Sequence, residues 1–95
     1  MPEVLFTLRW PDETEETCYS PSSVIHDYLT ANTTYPLADF NALARDALQA
    51  ASRRVEQVYG SPCSRAMAQL RHIENRVEQF SGREDASVTC LRFRK

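Results

Sequence analysis

Several features are scarce in this chain of 95 residues, and each scarcity excludes a class of protein. Two glycines leave no glycine-rich loop that could cradle a phosphate, and with only five prolines they argue against a disordered chain. No segment approaches the ~20 apolar residues that cross a bilayer. Residues 1–4 lack the basic stretch and apolar run of a signal peptide. We therefore expect a folded cytoplasmic protein without a membrane partner.

Positive charge is also limited, because 11 basic residues face 13 acidic ones and the formal net charge is −2. Nucleic-acid binding draws on a basic excess, so we expect no nucleic-acid partner. Lys95 is the single lysine, and the other basic residues are arginines. Arginine pairs bidentately with carboxylates, which favours an ion-paired surface. A less favoured alternative is that several arginines form an anion site.

The three cysteines are an odd number and match no disulfide framework of secreted proteins. We therefore expect reduced thiols. Cys18, Cys63 and Cys90 could form a tetrahedral zinc site with a histidine. No two of these cysteines have the spacing of two to four residues that such sites usually use. We therefore expect neither a metal nor another cofactor.

The first part of the chain predicts a β-hairpin. Residues 4–10 alternate between apolar and polar, with aromatic side chains on the apolar face, which is typical of a half-buried strand. Pro11-Asp12 favours a tight turn, and a second strand from about Glu13 to Tyr19 returns antiparallel. Ser22 or Ser23 then caps a short helix through Leu29, and residues 31–35 form a polar loop.

Two long amphipathic helices follow. Apolar residues recur at steps of three and four from Pro36 to Tyr59, and Gly60 favours a helix end there. A second stripe runs from Cys63 to Phe80, with Ser61-Pro62 as the expected cap and first helical residue. The short link predicts an antiparallel pair.

Residues 86–93 predict a last strand whose apolar side chains do not alternate, since Val88 and Cys90 share one face and Leu91 and Phe93 the other. The strand is either buried on both faces or shifted in phase by a bulge. We expect a single α+β domain over residues 1–95, with element order β-β-α-α-α-β. A three-stranded, mainly antiparallel sheet would carry the helices on one face. The last strand could pair with the first or the second.

The string from Cys18 to Ser22 places a thiol, a phenol and hydroxyls where a strand turns into a helix. Free N–H groups at a helix start can bind an anion or lower the pKa of a thiol. Tyr35 could border an aromatic recess, and a further cysteine opens the last long helix. The candidate ligand-binding residues are therefore Cys18, Tyr19, Ser20, Ser22, Tyr35 and Cys63.

A structural interpretation of the same residues is favoured, with Cys18 in the core, Tyr19 packed and the serines as caps. The two histidines are isolated in the sequence, and His72 falls on the polar side of its helix. A Ser/His/Asp or Cys/His device would need distant residues to converge. We therefore predict no catalytic residue and favour a role other than catalysis.

Several segments of the chain together resemble the sequences of one family. These segments are Arg9-Trp10-Pro11-Asp12, residues 18–22, residues 35–40, residues 51–55, Tyr59-Gly60, Cys63-Ser64 and residues 66–70. The chain is similar over nearly its whole length to short nitrogen starvation response proteins encoded in bacterial gene clusters centred on a nitrilase. The resemblance implies that this chain is encoded in such a cluster. These clusters also encode a radical-SAM protein, an acetyltransferase and a flavoprotein, and they are linked to nitrogen scavenging from nitriles or cyanide. It implies no catalytic residue, because the short protein has no assigned reaction.

Glu13 stands where that family tends to have glycine, which argues against a tight glycine turn and for a longer hairpin loop. The resemblance and the small core predict an accessory or interaction protein of a nitrilase-linked nitrogen-scavenging pathway. Its expected partner is a second copy of the chain or a protein of the same gene cluster. The alternative is a small-molecule-binding protein or thiol-dependent enzyme that uses Cys18 or Cys63.

Overall fold

The computed structural model describes residues 3–61 and 63–94. Its regular elements, in chain order, are β1 (Val4–Arg9), β2 (Glu15–Ser20), a 3₁₀ helix (Ser23–Asp27), β3 (Thr33–Pro36), α1 (Leu37–Tyr59), α2 (Ser64–Phe80) and β4 (Ser87–Arg94). The predicted α+β class is confirmed. No helix of the described ranges is long and apolar enough to cross a membrane.

The sheet has four antiparallel strands in the order β2-β1-β4-β3, so the prediction of three strands was wrong. The additional strand is β3. Residues 33–35 of it lie in the segment that we expected to be a polar loop, and Pro36 was expected to begin the first long helix. Its four residues show a half-exposed pattern that is too short for alternation to be recognised. β3 is defined by its partner, since Thr33 lies opposite Cys90 and Tyr35 opposite Val88.

Strand β4 lies between β1 and β3, which settles the pairing that the sequence left open. Its register against β1 shifts after Thr7, because Thr7 lies opposite Arg92 while Leu8 lies opposite Cys90. Leu91 is the extra residue, so β4 carries a bulge there. The bulge brings Phe93 back to the face that holds Cys90. Of the two alternatives for this strand, the bulge is therefore correct.

Both long helices pack on one face of the sheet, as expected. α1 begins one residue after Pro36 and ends at Gly60, whose φ of 83° is left-handed and whose N–H donates to the Glu56 carbonyl at 2.8 Å. α2 begins at Ser64, with Cys63 in the cap position and no capping side chain. The expected cap, Ser61, therefore lies outside the helix, and Pro62 lies outside the described residues.

Trp10 lies in the middle of the core. Its ring is 1% exposed, stacks on Phe80 at 6.2 Å between centroids, and meets Phe40 edge-on at 5.8 Å. The buried cluster around it takes side chains from β1, β2, β4 and both long helices. The interior is therefore filled by packed side chains from every layer.

The segment after β2 is shorter than predicted. Its 3₁₀ helix ends at Asp27, whereas the pattern predicted a helix through Leu29. Ser22 is the cap, because its Oγ accepts a hydrogen bond from the Val24 N–H at 3.3 Å. Ile25 is buried from within the helix, and Leu29 is buried from the turn that follows. The Ile25 carbonyl accepts hydrogen bonds from the N–H groups of Tyr28 and Leu29, each at 3.1 Å, so a single turn closes the segment after the 3₁₀ helix.

The hairpin turn is tight, so the expectation of a longer loop was wrong. The Trp10 carbonyl accepts a hydrogen bond from the Glu13 N–H at 2.8 Å, and the Trp10 N–H donates to the Thr14 carbonyl at 2.9 Å. Glu13 itself takes the left-handed conformation, with a φ of 69°. Asp12 Oδ1 accepts from the Thr14 backbone and hydroxyl at 3.1 and 2.6 Å. These bonds hold a turn that would suit glycine at position 13.

We predict that Glu13→Gly raises the free energy of unfolding by about 0.5–1 kcal/mol, because a left-handed residue with a Cβ is strained by about 1 kcal/mol or more. Urea unfolding followed by tryptophan fluorescence would measure the change. Glu84→Gly is the matched control, since Glu84 is exposed and has no positive φ. It should be neutral or destabilising, and equal effects of the two variants would contradict the strain at Glu13.

Candidate functional site

The six residues predicted to bind a ligand do not lie together. Cys18 and Ser20 face the helices from β2, whereas Tyr19 between them faces the other side of the sheet. Tyr35 is on β3 at the opposite edge, where its hydroxyl accepts a hydrogen bond from the Thr30 N–H at 2.8 Å. Cys63 precedes α2. Of the six, the structure brings Tyr19 next to Cys63 and Ser20 next to Ser22, but it does not bring the two pairs together into one site.

The two serines are occupied by the turn that links β2 to the 3₁₀ helix. The Ser20 hydroxyl donates to the Ser22 carbonyl at 2.8 Å and accepts from the Ser22 N–H at 3.4 Å. The Ser22 hydroxyl accepts from the Val24 N–H. Both serines are buried. Their polar groups therefore hold the backbone of this turn.

The thiols differ in exposure. Cys18 is 1% exposed and Cys90 is fully buried, whereas Cys63 is partly exposed. Burial raises the pKa of the Cys18 thiol far above its usual range, and the nearby Glu16 and Cys90 add to this shift. Burial also raises the pKa of Cys90 to about 11. Because the thiolate is the nucleophile, Cys18 and Cys90 are unsuited to covalent chemistry at neutral pH.

Tyr19, Cys63 and Arg65 form a cluster where α2 begins beside β2. The Arg65 guanidinium lies 3.9 Å from the centroid of the Tyr19 ring, a cation–π contact. Partial burial and then the neighbouring Cys63 raise the pKa of the Tyr19 phenol, and Arg65 opposes this shift. The Cys63 N–H donates to the Ser52 hydroxyl at 3.1 Å, which joins the start of α2 to α1.

From this cluster a row of polar side chains on α2 runs along the edge strand β2. Its members, at steps of four, three and four residues, are Arg65, Gln69, His72 and Arg76. Gln69 Oε1 accepts a hydrogen bond from the Tyr19 N–H at 3.0 Å, so a side chain satisfies an edge group that would otherwise be free. We did not predict this row from the sequence, although polar residues at steps of three and four on one helix face could have indicated it.

Glu16 joins this row to the core. Its Oε1 accepts a hydrogen bond from the Trp10 indole N–H at 2.8 Å, and its Oε2 lies 2.5 Å from His72 Nε2. His72 was expected on the polar side of its helix, and its side chain is indeed 49% exposed, but it is bound to this carboxylate. Further along, Arg76 donates to the Thr14 hydroxyl at 2.8 Å and lies 5.0 Å from the Trp10 ring centroid.

The chemical groups of this region are spread along α2. Nine residues separate Cys63 from His72 along α2, a rise of roughly 13 Å, so they cannot form a Cys–His pair. Within residues 3–61 and 63–94, no three His, Cys, Asp or Glu side chains converge as metal ligands. An open groove of about 400 Å³ is lined by Cys63, Ser64, Met67, Ala68 and Arg71. Its polar groups are one thiol, one hydroxyl and one guanidinium, with no general base.

We predict that one thiol per folded molecule reacts with a maleimide at pH 7, and that peptide mapping identifies it as Cys63. Cys18 and Cys90 should react at least about a hundredfold more slowly, because their sulfurs are enclosed. In denaturant all three should label at similar rates. Rapid labelling of Cys18 in the folded protein would contradict the packing described above.

We predict that stability falls as the pH rises from 9.0 towards about 11. The ordinary pKa of a cysteine thiol is 9.0, so in this window Cys18 and Cys90 ionise in the unfolded chain. In the folded chain burial raises their pKa values and keeps them protonated. The unfolded state then binds fewer protons, so each buried thiol lowers the free energy of unfolding by up to about 1.4 kcal/mol per pH unit. Urea unfolding at several pH values would measure the slope. Cys90→Ala should reduce the slope without removing it, because Cys18 then remains as a buried thiol, and Cys63→Ala should leave the slope unchanged. Equal slopes in both variants would contradict the prediction.

Comparison with known proteins agrees with the resemblance described above. The family model of the nitrogen starvation-induced protein NitG matches residues 5–93, which takes in all four strands and both long helices except for the ends of β1 and β4. No curated protein and no solved structure matches the chain. Since the match covers well over half of the sequence, the chain belongs to the family of the nitrogen starvation-induced protein NitG.

Proposed function

We propose that this protein is a non-catalytic accessory protein of a nitrilase-linked nitrogen-scavenging pathway and that it acts by binding another protein. Membership of a family induced by nitrogen starvation supports the biological setting. The resemblance to proteins encoded beside a nitrilase supports the pathway. The partner is a protein encoded in the same gene cluster, or a second copy of this chain.

The observation that carries this proposal is the exposed apolar end of α1, which consists of Val58 and Tyr59. Val58 is 57% exposed and Tyr59 is 66% exposed. At helical spacing they continue the stripe through which Leu48 and Ala51 are buried. α1 has 23 residues, roughly 34 Å, so its last turns extend beyond the packed core. Adjacent exposed apolar side chains on a small protein favour a protein contact.

The contents of the core support binding over catalysis. Both thiols that face the interior have raised pKa values and no solvent contact. The best-connected titratable pair, Glu16 and His72, is engaged with Trp10 and with each other. These groups are used for cohesion, which leaves the surface as the part of the molecule available for function.

The proposal is tested by purifying a tagged version from nitrogen-starved cells and identifying bound proteins by mass spectrometry. We expect a protein of the nitrilase cluster, or self-association in analytical ultracentrifugation. The double variant Val58→Ser/Tyr59→Ser should weaken that association at least about tenfold, because it removes the apolar contact.

The matched control is Glu56→Ser/Gln57→Ser, which changes two exposed polar residues of the same helix end and should leave association unchanged. Recovery of a lone monomer with no cluster protein would contradict the proposal. An association that both double variants weaken equally would contradict the role of the apolar end.

A thiol-dependent role at Cys63 is the second candidate, and the neighbouring Tyr19 and Arg65 favour it. The other thiol considered, Cys18, is enclosed and does not support it. Iodoacetamide kinetics separate the two candidates. A Cys63 that reacts about tenfold faster than free cysteine at pH 7, with loss of that excess in Arg65→Gln, supports the thiol role. A rate no faster than free cysteine removes it.

A further inference from the structure

One face of the sheet packs on the helices, and among the described residues the contact that α2 makes with the other face is that of Arg65 with Tyr19 at its β2 edge. We call this other face the open sheet face. Alternation and register place on it the side chains of Leu5, Thr7, Arg9, Glu15, Thr17, Tyr19, Thr34, Thr89, Arg92 and Arg94. An antiparallel sheet with one solvated face is ordinary, so its exposure alone indicates nothing. Its charge pattern is the informative feature.

The charge on the open sheet face is opposite in sign to that of the whole chain. Arg9, Arg92 and Arg94 share its β1 and β4 strands, and Glu15 is the acidic residue that faces them from β2. The chain as a whole has a formal net charge of −2. This face therefore carries an excess of positive charge on a chain whose net charge is negative.

The internal ion pairs of this face are weak. Glu15 Oε2 lies 3.6 Å from Arg9 Nη2, and Glu15 Oε1 lies 3.9 Å from Arg92 Nη2. These distances exceed those of charge-assisted hydrogen bonds, and the side chains of Arg9 and Arg92 are 48% and 64% exposed. Each guanidinium carries five N–H donors in a planar fork. Most of those donors remain available to carboxylates from outside.

The remaining side chains make the face flat and partly apolar. Threonine hydroxyls meet across neighbouring strands, Thr7 with Thr17 at 3.3 Å and Thr34 with Thr89 at 2.8 Å. Leu5 and Leu91 are only partly buried. Short side chains between longer arginines allow a chain to approach the sheet closely. The face thus offers carboxylate-binding forks around a shallow apolar floor.

We propose that the open sheet face binds an acidic segment of a partner protein whose glutamate or aspartate carboxylates pair with Arg9, Arg92 and Arg94. This inference rests on the proposed function, since it names the chemistry of the partner of a binding protein. Four strands spaced ~4.8 Å apart and about six residues long cover roughly 400 Å² of plane. A specific interface between globular proteins buries about 800 Å² per partner, so a single segment fits this face better than a whole domain.

Two other anionic partners fit the face less well. Sheets that bind single-stranded nucleic acid stack bases on exposed aromatic rings. Tyr19 is the aromatic side chain that the register places on this face, and the Arg65 guanidinium covers its ring. A membrane surface favours exposed apolar anchors beside the basic residues. The leucines here are partly buried between strands.

The test uses the full chain, labelled with ¹⁵N, and a short soluble peptide in which glutamate and valine alternate. We expect amide shift changes on β1, β2 and β4 and an affinity that falls with added salt. Arg9→Gln/Arg92→Gln/Arg94→Gln should weaken binding at least about tenfold, since it removes the carboxylate partners. The matched control, Arg53→Gln/Arg54→Gln/Arg71→Gln, makes the same charge change at exposed positions on the helices and should leave binding unchanged.

Equal weakening by the two triple variants would overturn the proposal, because net charge would then explain the binding. Absence of shifts, or tighter binding to an oligouridine strand or to phosphatidylglycerol vesicles, would overturn it as well. The proposed function fails separately. Suppose that a cellular partner no longer binds the Val58→Ser/Tyr59→Ser variant but still binds the triple arginine variant of the open sheet face. This result would contradict the proposed site on the open sheet face and would support the accessory role.

Discussion

The hydrogen bond between the Trp10 indole and Glu16 is the interaction on which the arrangement of layers depends. Trp10 directly follows the first strand and packs between Phe40 of α1 and Phe80 of α2. Its ring is almost fully buried, and an indole N–H left without an acceptor there would cost about 1–3 kcal/mol. Glu16 supplies the acceptor from the neighbouring strand. The largest core side chain thus fixes β1, β2 and both helices relative to one another.

This bond also explains why α2 lies over the edge of the sheet. The second oxygen of Glu16 is bound to His72, one turn further along α2 than Gln69, which accepts from the β2 backbone. Each contact has modest strength because it is partly exposed. Together they cover an edge strand that could otherwise pair with another chain. The opposite face of the sheet gains no such cover and stays available to other molecules.

The elements that could be predicted from the sequence are those in which apolar residues recur at a regular spacing. Both long helices and the first hairpin follow from apolar stripes and alternation, and the break in alternation at Leu91 marked the bulge in β4. Strand β3 could not be recognised, because its four residues become a strand only through pairing with β4. The expectation of a longer hairpin loop at Glu13 was wrong for a different reason. The hydrogen bonds of Asp12 and Trp10 hold the tight turn despite a side chain that disfavours it.

The candidate site could be predicted less well than the fold, because it depends on which side chains meet in space. The residue types at positions 18–22 suggested a shared pocket, but strand alternation sends Cys18 and Tyr19 to opposite faces. Tyr19 and Cys63 meet because α2 starts beside β2, a contact between residues distant in sequence that no local pattern reports.

A chain of this size has one small core, and here the thiols of Cys18 and Cys90 and the ring of Trp10 are part of it. A pocket deep enough to exclude water from a reaction would have to be taken from that same volume, at a cost in buried apolar area. The surface is not limited in this way. The last turns of α1, where Val58 and Tyr59 are exposed, and the outer side of the sheet lie outside that core, so the contacts proposed for them would not reduce its buried apolar area.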